Sequence, residues 1–350
     1  MKRFLAYALT LELIAGFTAS ALAAPIDDLI KGAKQEGTIE FYAPSTLTPQ
    51  GAQALGAAFN KKYGLNVKLQ YSPSGNMTRD IGKVVGLGAS GVPPEWDLMV
   101  VTDAHHATLW VKKMHQPFDY KSIGVDAKAV QYDNGSVSFA NQFVLPAYNK
   151  QLVQAKDAPK SWDELLQPKW KGEILFDESS LEEVMALLAV WGKEKTVNYF
   201  TKLSQQQLLI RVGRDTTTQM MMAGEAPLAI TTYAYNNEGL RAQNAPVDWI
   251  AEDLIPALLY PLTMARNAPH PHSAALFYDY LISEEGQRLI AKEGRVVAHP
   301  KVEPIYPRMK ELQGFLGTPR VQLNTLEQSH KFYKEGIQIL DEIVLKRKSS

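Results

Sequence analysis

The sequence has no cysteine, no excess of charge of either sign and no apolar run long enough to cross a membrane. Without cysteine the chain has neither a disulfide framework nor a lipid-anchored cysteine. Its stability must come from a core, and 350 residues are enough for two domains. Lysine and arginine together number 37, as do aspartate and glutamate, and no basic block occurs. This balance argues against a nucleic-acid partner and against binding to an anionic membrane surface.

The N-terminal residues have the layout of a cleaved secretory signal peptide. Lys2 and Arg3 precede an apolar run at 4–15, and small residues follow up to an Ala-x-Ala ending at 21–23. The run is too short to span a bilayer as a permanent helix. An amphipathic helix of the mature protein is the alternative, but the Ala-x-Ala ending favours cleavage. We therefore predict residues 1–23 to be a signal peptide and the protein to be exported to the periplasm.

Strands and helices alternate along the chain that follows. Alternating apolar residues predict strands at 38–43, 66–71 and 96–101, and helical spacing predicts helices at 50–63 and 78–87 between them. This alternation is typical of a parallel sheet with crossover helices. Each predicted strand ends in small polar residues. Ligands of open α/β sheets bind at that carboxyl edge, so we expect a ligand there.

A second α/β unit is predicted to begin near residue 138. Strand patterns occur at 139–148, 172–176 and 226–231, and a return strand is predicted at 258–265. Because no low-complexity linker separates the two units, any boundary between them lies within extended strands, which suits a hinge.

Two Ser-x-x-Glu sequences predict the starts of helices in this second unit. Ser161 precedes Glu164, and Ser180 precedes Glu183. In a capping box the serine and the glutamate each accept a hydrogen bond from a free backbone N–H group of the first turn. We therefore predict a short helix after Ser161 and a longer one after Ser180.

Three stretches of the chain resemble a known family of transport proteins. Residues 159–172 read PKSWDELLQPKWKG, residues 223–229 read AGEAPLA, and residues 267–287 hold the sequences NAPHPHSAA and SEEGQ. These stretches resemble signatures of the periplasmic solute-binding proteins of ABC importers, in the branch that includes the ferric-iron-binding proteins. The resemblance extends over nearly the whole mature chain.

The resemblance implies an α/β fold of the type II periplasmic binding protein kind. In that fold each of two lobes is a mostly parallel sheet with flanking helices, and two crossover strands form a hinge. Carried over here, the first lobe holds 25–140 and 260–300, the second holds 141–259, and 301–350 form a C-terminal helical segment. The resemblance also implies a monomer that passes a small-molecule solute to the membrane permease of an ABC transporter, without chemistry and without a cofactor.

Two tyrosines bear on the identity of the solute. The family's ferric-iron binders have an adjacent tyrosine pair, whereas this chain has Tyr233-Ala-Tyr235. An adjacent pair and a pair two residues apart present their phenols differently on either a strand or a helix, so we predict no metal ligands. We prefer a small anionic or polar organic solute, with ferric iron as the alternative, and we expect at least one of the two tyrosines to face the ligand.

Residues at predicted strand ends and helix starts complete the candidate ligand site. They are Ser45, Thr46, Ser74, Gly75, Thr102, Asp177, Arg214, Thr216, Tyr233 and Tyr235. Hydroxyls and free N–H groups at helix starts suit anionic oxygens, and Arg214 could clamp such an oxygen with its guanidinium. Ordinary helix capping is the alternative role of the serines, threonines and aspartate.

A secreted hydrolase or transferase is the rival from another functional class. The sequence has no G-x-S-x-G, no H-E-x-x-H and no phosphate-binding loop, and no pairing of a nucleophile with a base stands out. We therefore predict no catalytic residues and a protein that is not an enzyme.

Overall fold

The computed structural model describes residues 26–44, 47–117, 130–131, 136–292, 297, 299, 301–315, 318–324 and 326–347. The predicted signal peptide at 1–23 lies outside these residues, as do the candidate site residues Ser45 and Thr46. Within the described ranges, no helix is both long and apolar enough to span a bilayer.

The elements of the first half confirm the predicted alternation. They are α1 (Ile26–Glu36), β1 (Thr38–Pro44), α2 (Pro49–Tyr63), β2 (Lys68–Ser74), α3 (Met77–Ala89), β3 (Leu98–Val100), α4 (Asp103–Val111), β4 (Val130–Gln131) and β5 (Ser136–Asn149). Helix α2 begins after Thr48, whose side chain accepts from the Gly51 N–H group, and ends at Gly64, whose left-handed conformation suits glycine.

The remaining elements belong to the second half and the C-terminal part of the chain. They are β6 (Ile174–Asp177), α5 (Leu181–Ser204), β7 (Leu209–Arg211), α6 (Arg214–Met222), β8 (Leu228–Tyr233), α7 (Ala234–Ala242), β9 (Val247–Trp249), β10 (Ile255–Met264), α8 (Pro271–Ile282), α9 (Glu284–Lys292), α10 (Met309–Phe315), β11 (Val321–Leu323) and α11 (Leu326–Gln338). Helix α5 is broken at Gly192, which has a non-helical backbone.

The strands pair in the order β2-β1-β3-β10-β5-β8-β6-β7, and β4, β9 and β11 pair at the sides. Strand β1 is parallel to β2 and β3, and β6 is parallel to β7 and β8, as the alternation predicts. Strand β10 is antiparallel to both β3 and β5, and β5 is antiparallel to β8. Two antiparallel strands therefore join two parallel groups.

Alternate residues of the parallel strands pack into cores on opposite faces of the sheet. In β1, Phe41 belongs to one hydrophobic cluster and Tyr42 to another. In β6, Phe176 and Leu175 divide in the same way between two further clusters. Because successive side chains of a strand point to opposite faces, a strand covered on both sides must be apolar throughout.

Strands β5 and β10 lie side by side between the two parallel groups and connect them. Every residue of β5 is buried; its first part pairs with β10 and its second part with β8. The ladder shifts register next to Pro146 in β5 and next to Pro261 in β10. Proline has no N–H group to donate to the ladder. The pairing is therefore irregular at these two positions, although both strands continue past them.

The stretch at 159–172 has a structural role in the second half. The Trp162 indole N–H donates to the backbone oxygen of Leu254 at 2.8 Å, and the Tyr199 hydroxyl donates to the backbone oxygen of Trp162 at 2.9 Å. The helix predicted after Ser161 is only a 3₁₀ turn at 163–166. The turn stays short because Gln167 is extended and a second 3₁₀ turn begins at once.

A glycine allows the close approach of α8 and α9. A Cβ atom on Gly286 would overlap the backbone oxygen of Tyr280. We expect Gly286→Ala to lower the free energy of unfolding by about 1–3 kcal/mol, since backbone cannot move aside cheaply. Gly82 in α3 is the matched control, because a Cβ there has no atom within 4 Å. We expect Gly82→Ala to raise stability by about 0.5–1 kcal/mol, and equal effects in urea unfolding would contradict the steric explanation.

Candidate functional site

Polar side chains gather where strands of the second half end. Asp177 closes β6, Arg214 begins α6 directly after β7, and Tyr233 closes β8. Strands β7 and β8 both pair in parallel with β6, so these ends meet at one carboxyl edge. The structure thus brings three of the predicted site residues together.

The Arg214 guanidinium lies at the centre of this group and is bound by carboxylates. It forms a two-point ion pair with Glu183, one of whose contacts is 3.0 Å long. It also contacts Glu182 at 3.3 Å and Asp177 at 3.7 Å, and donates to the backbone oxygen of Thr231 at 2.9 Å. One cation therefore holds three acidic side chains.

The prediction of an anion clamp at Arg214 needs correction. The side chain is buried, at 6 % exposure, and its N–H groups are directed at acceptors of the protein itself. Thr216, which was predicted to share the clamp, is exposed on α6. The error arose because a helix start indicates free backbone N–H groups but does not indicate where a long side chain turns.

Helix α5 begins after Ser180 as predicted, but the Ser180 side chain does not form the predicted capping box. The Ser180 side chain makes no capping bond and instead donates to the backbone oxygen of Asp177 at 2.6 Å. Glu183, the expected partner in the box, pairs with Arg214. A charged tertiary partner has replaced the local hydrogen bond.

Arg214, Asp177, Glu182 and Glu183 together form the Arg214 group. Tyr233 borders the Arg214 group, and Tyr235 does not. The Arg214 guanidinium lies over the Tyr233 ring, 5.0 Å from its centre. Burial raises the pKa of Tyr233 well above its usual range, the nearby Tyr260 adds to this, and Arg214 opposes it. Tyr235 packs with Tyr306 in a separate apolar cluster.

Tyr260 is a site residue that sequence reasoning missed. It lies in β10, and its side chain is hydrogen-bonded to that of Tyr233. Two phenols from different strands therefore meet beside the Arg214 group. The only signal in the sequence was a hydroxyl-bearing residue within a strongly apolar strand, which also fits ordinary packing.

Asp103 and Thr102 approach from the end of β3. The buried Asp103 carboxylate accepts from the Ser329 hydroxyl of α11 at 3.0 Å, and its burial raises its pKa to about 6. The Thr102 hydroxyl is 2.7 Å from one ring nitrogen of His105, whose other ring nitrogen is 3.1 Å from the Thr78 hydroxyl. Thr102, His105 and Thr78 thus form a row of hydrogen-bonded side chains in the first half.

The pKa of the Glu182 carboxyl group depends on residues from both halves of the chain. Burial raises its pKa to about 7; Arg214 opposes this, whereas Glu183 and Asp103 raise it further. Asp103 belongs to α4 and Glu182 to α5, so acidic groups from both halves influence one another. Helix α11 packs against both of these helices.

The other candidates of the first half lie at the outer strand β2. The Ser74 side chain is hydrogen-bonded to the Tyr42 hydroxyl, which also contacts the Asp80 carboxylate at 3.0 Å. Gly75 is exposed and precedes the Asn76 cap of α3. Their roles as ligand residues stay predictions.

No ready-made metal cluster of the usual residue types occurs in the described part of the chain, where no three His, Cys, Asp or Glu side chains are suitably grouped. Any metal bound at the Arg214 group would therefore need the phenol oxygens, or oxygens supplied by a small anion. The site as a whole holds acidic side chains and phenols around one fully engaged cation.

Comparisons with known proteins indicate the family that the sequence resembles. A family model described as bacterial extracellular solute-binding protein matches residues 39–296. Iron uptake protein A1 of Synechocystis is 25 % identical over 163 residues, which cover 41 % of this chain and 44 % of that protein. The chain thus matches less than half the length of this curated relative.

Solved structures are similar over almost their whole length. Apo ferric ion-binding protein A of Pasteurella haemolytica has a TM-score of 0.73 at 16 % identity, and covers 90 % of this chain and 100 % of its own. A Trichodesmium protein solved with iron and citrate ligands has a TM-score of 0.70 at 19 % identity, with 88 % and 99 % covered. These similarities confirm the predicted two-lobed α/β fold.

Proposed function

Since this chain belongs to the family of bacterial extracellular solute-binding proteins, we propose that it captures ferric iron in the periplasm and delivers it to the permease of an ABC importer. The family is one of solute-binding proteins and not of enzymes, which counts against the hydrolase or transferase alternative. The names of similar proteins support iron, the alternative cargo, better than the organic solute that we first preferred.

The balance of charge at the Arg214 group is the observation that carries this proposal. Three carboxyl groups contact one guanidinium, namely those of Asp177, Glu182 and Glu183, and the nearby Asp103 raises the pKa of Glu182 further. The phenols of Tyr233 and Tyr260 lie beside them. Hard cations prefer oxygen donors of these kinds, so an excess of acidic groups with two phenols suits Fe(III).

The same balance disfavours a free anionic solute. The guanidinium that could receive an anion already binds Glu182 and Glu183. An incoming carboxylate would have to displace one of these partners in a buried place, which leaves a buried charge unpaired. An anion bound together with ferric iron would not meet this difficulty, because the metal brings its own positive charge.

We propose that closure of the two lobes, 25–140 with 260–300 and 141–259, completes the site. Asp103 comes from the first lobe, Glu182 and Tyr233 come from the second, and Tyr260 lies where the crossing strand β10 joins them. Closure of the lobes would gather donors from both sides around one metal ion. Iron that bridges them would hold a monomeric protein in the closed form for delivery to the permease.

Ferric iron should give the protein a visible colour that depends on Tyr233. We expect the metal-free protein, titrated with ferric citrate, to develop a broad absorption band from phenolate-to-iron charge transfer. Tyr233→Phe should remove most of that band and weaken iron binding roughly ten-fold or more. Tyr333→Phe, at a tyrosine that is 41 % exposed on α11, is the matched control and should keep the band.

Two outcomes would overturn the proposal. One is a colourless protein that retains no iron in metal analysis after titration and gel filtration. The other is a band unaffected by Tyr233→Phe, because iron would then bind elsewhere. If native mass spectrometry of the same colourless sample found a retained organic molecule, the organic solute would again become the preferred cargo.

A further inference from the structure

The first half contains a cavity of about 660 Å³ that is separate from the Arg214 group. Arg266, which lines it, follows the point where Met264 of β10 pairs with Leu98 at the start of β3. Thr102, which belongs to the candidate site, follows the end of β3. The cavity therefore lies at the opposite edge of the sheet from the site of the proposed function.

The cavity combines an apolar wall with positive charge. Its lining includes Trp110, Val111, Lys113, His115, Pro117 and Arg266, and no acidic side chain is among the lining residues that the structure describes. Ligand pockets in proteins typically have volumes of roughly 300–1,000 Å³ and are lined by apolar and aromatic groups with a few polar ones. The size and lining thus fit a small molecule better than a chain segment.

The backbone around the cavity is held by hydrogen bonds. Lys113 adopts a left-handed conformation, φ 54°, where α4 ends, and its N–H group donates to the Trp110 oxygen at 2.9 Å. Beyond it, the Gln116 N–H group donates to Met264 and the Arg266 N–H group donates to Met114, both at 2.9 Å. The residues that carry the two cations are therefore fixed relative to one another.

Within the described part of the chain, Lys113 and Arg266 have no acidic partner that would neutralise their charge. Among the ion pairs of the described residues, none includes Lys113 or Arg266. The one hydrogen bond that the Arg266 guanidinium makes to described residues is long, 3.5 Å, and goes to the backbone oxygen of Lys113. Arg266 also lines an adjoining groove of about 200 Å³ with Met114 and Val92. Two neighbouring cations next to an aromatic wall favour a ligand that carries negative charge on a flat apolar body.

We propose that this cavity binds a small aromatic carboxylate, independently of the cargo site. The aromatic body would lie against Trp110, and the carboxylate would interact with Lys113 and Arg266. The guanidinium is suited to this task, because its planar fork matches the two oxygens of a carboxylate.

Titration calorimetry with naphthoate and with neutral naphthamide tests the assignment. We expect naphthoate to bind about ten-fold or more tightly than naphthamide, because hydrogen bonds to charged groups contribute more than neutral ones. Arg266→Gln should weaken naphthoate binding by about the same factor. Arg288→Gln, at an exposed arginine of α9 that pairs with Glu284, is the control and should bind naphthoate like the unaltered protein.

Three results would overturn the proposal. They are the absence of binding heat from naphthoate at millimolar concentration, equal binding of the acid and the amide, and unchanged naphthoate binding by Arg266→Gln. Tyr233→Phe separates this site from the proposed iron site. That variant should bind naphthoate like the unaltered protein whether or not iron is the cargo. If Tyr233→Phe abolished naphthoate binding, the carboxylate would instead bind at the Arg214 group.

Discussion

Arg214→Ala is expected to lower the free energy of unfolding by about 3–5 kcal/mol, because it leaves buried carboxylates without their counter-charge. Glu183 and Asp177 are each 1 % exposed and cannot turn to solvent without disturbing the core. Urea unfolding of the purified variant measures the effect.

Two further variants distinguish the charge effect from a loss of packing. Arg214→Ala combined with Glu183→Gln should be less destabilised than the two single changes added together, since the second change removes one of the unpaired charges. Arg288→Ala breaks an exposed pair with Glu284, and we expect it to change the stability little, because exposed ion pairs are screened by solvent. Additive effects in the double variant would contradict the ion-pair explanation.

Glu252→Gln is expected to stabilise the protein at alkaline pH. The Glu252 side chain is fully buried, and neither of its carboxylate oxygens has a hydrogen-bond partner among the described residues. Burial, and then the nearby Asp253, raise its pKa well above the ordinary value of 4.5. The folded protein therefore keeps a proton that the unfolded chain releases.

The sign of the pH dependence follows from that difference. As the pH rises above 4.5, the unfolded chain loses its proton first, so the contribution of Glu252 to stability falls until the pH passes the raised pKa. Glutamine carries no ionisable proton, so the variant lacks this decline. At pH 8 we expect Glu252→Gln to be about 1–3 kcal/mol more stable than the unaltered protein, and at pH 5 we expect the two to be close.

Urea unfolding at several pH values measures the free energy of unfolding of the variant and of the unaltered protein. Subtracting one from the other cancels the contributions of the other acidic groups, which both proteins share. Glu173→Gln, at an exposed glutamate just before β6, is the control and should leave the difference near zero at every pH. A Glu252→Gln protein that is equally destabilised at pH 5 and pH 8 would contradict a buried protonated carboxyl group.

Much of the fold was predictable from local patterns. Strand β1 and helix α2 follow from alternation and helical spacing, because each pattern places its apolar residues on the faces that the sheet and its helices bury. The short stretches that resemble transport proteins identified the family, which the family model then matched. They could do so because residues such as Trp162 and Gly286 meet strict packing requirements.

The sequence by itself thus determined the alternation of strands and helices and the family. Only the tertiary structure decided the character of the site. Arg214 and Glu183 are 31 residues apart, and Tyr260 comes from a strand that crosses the molecule. A guanidinium at a helix start is an anion site when it is free and a structural counter-ion when carboxylates bind it. That choice depends on which distant side chains converge, and local patterns do not encode such convergence.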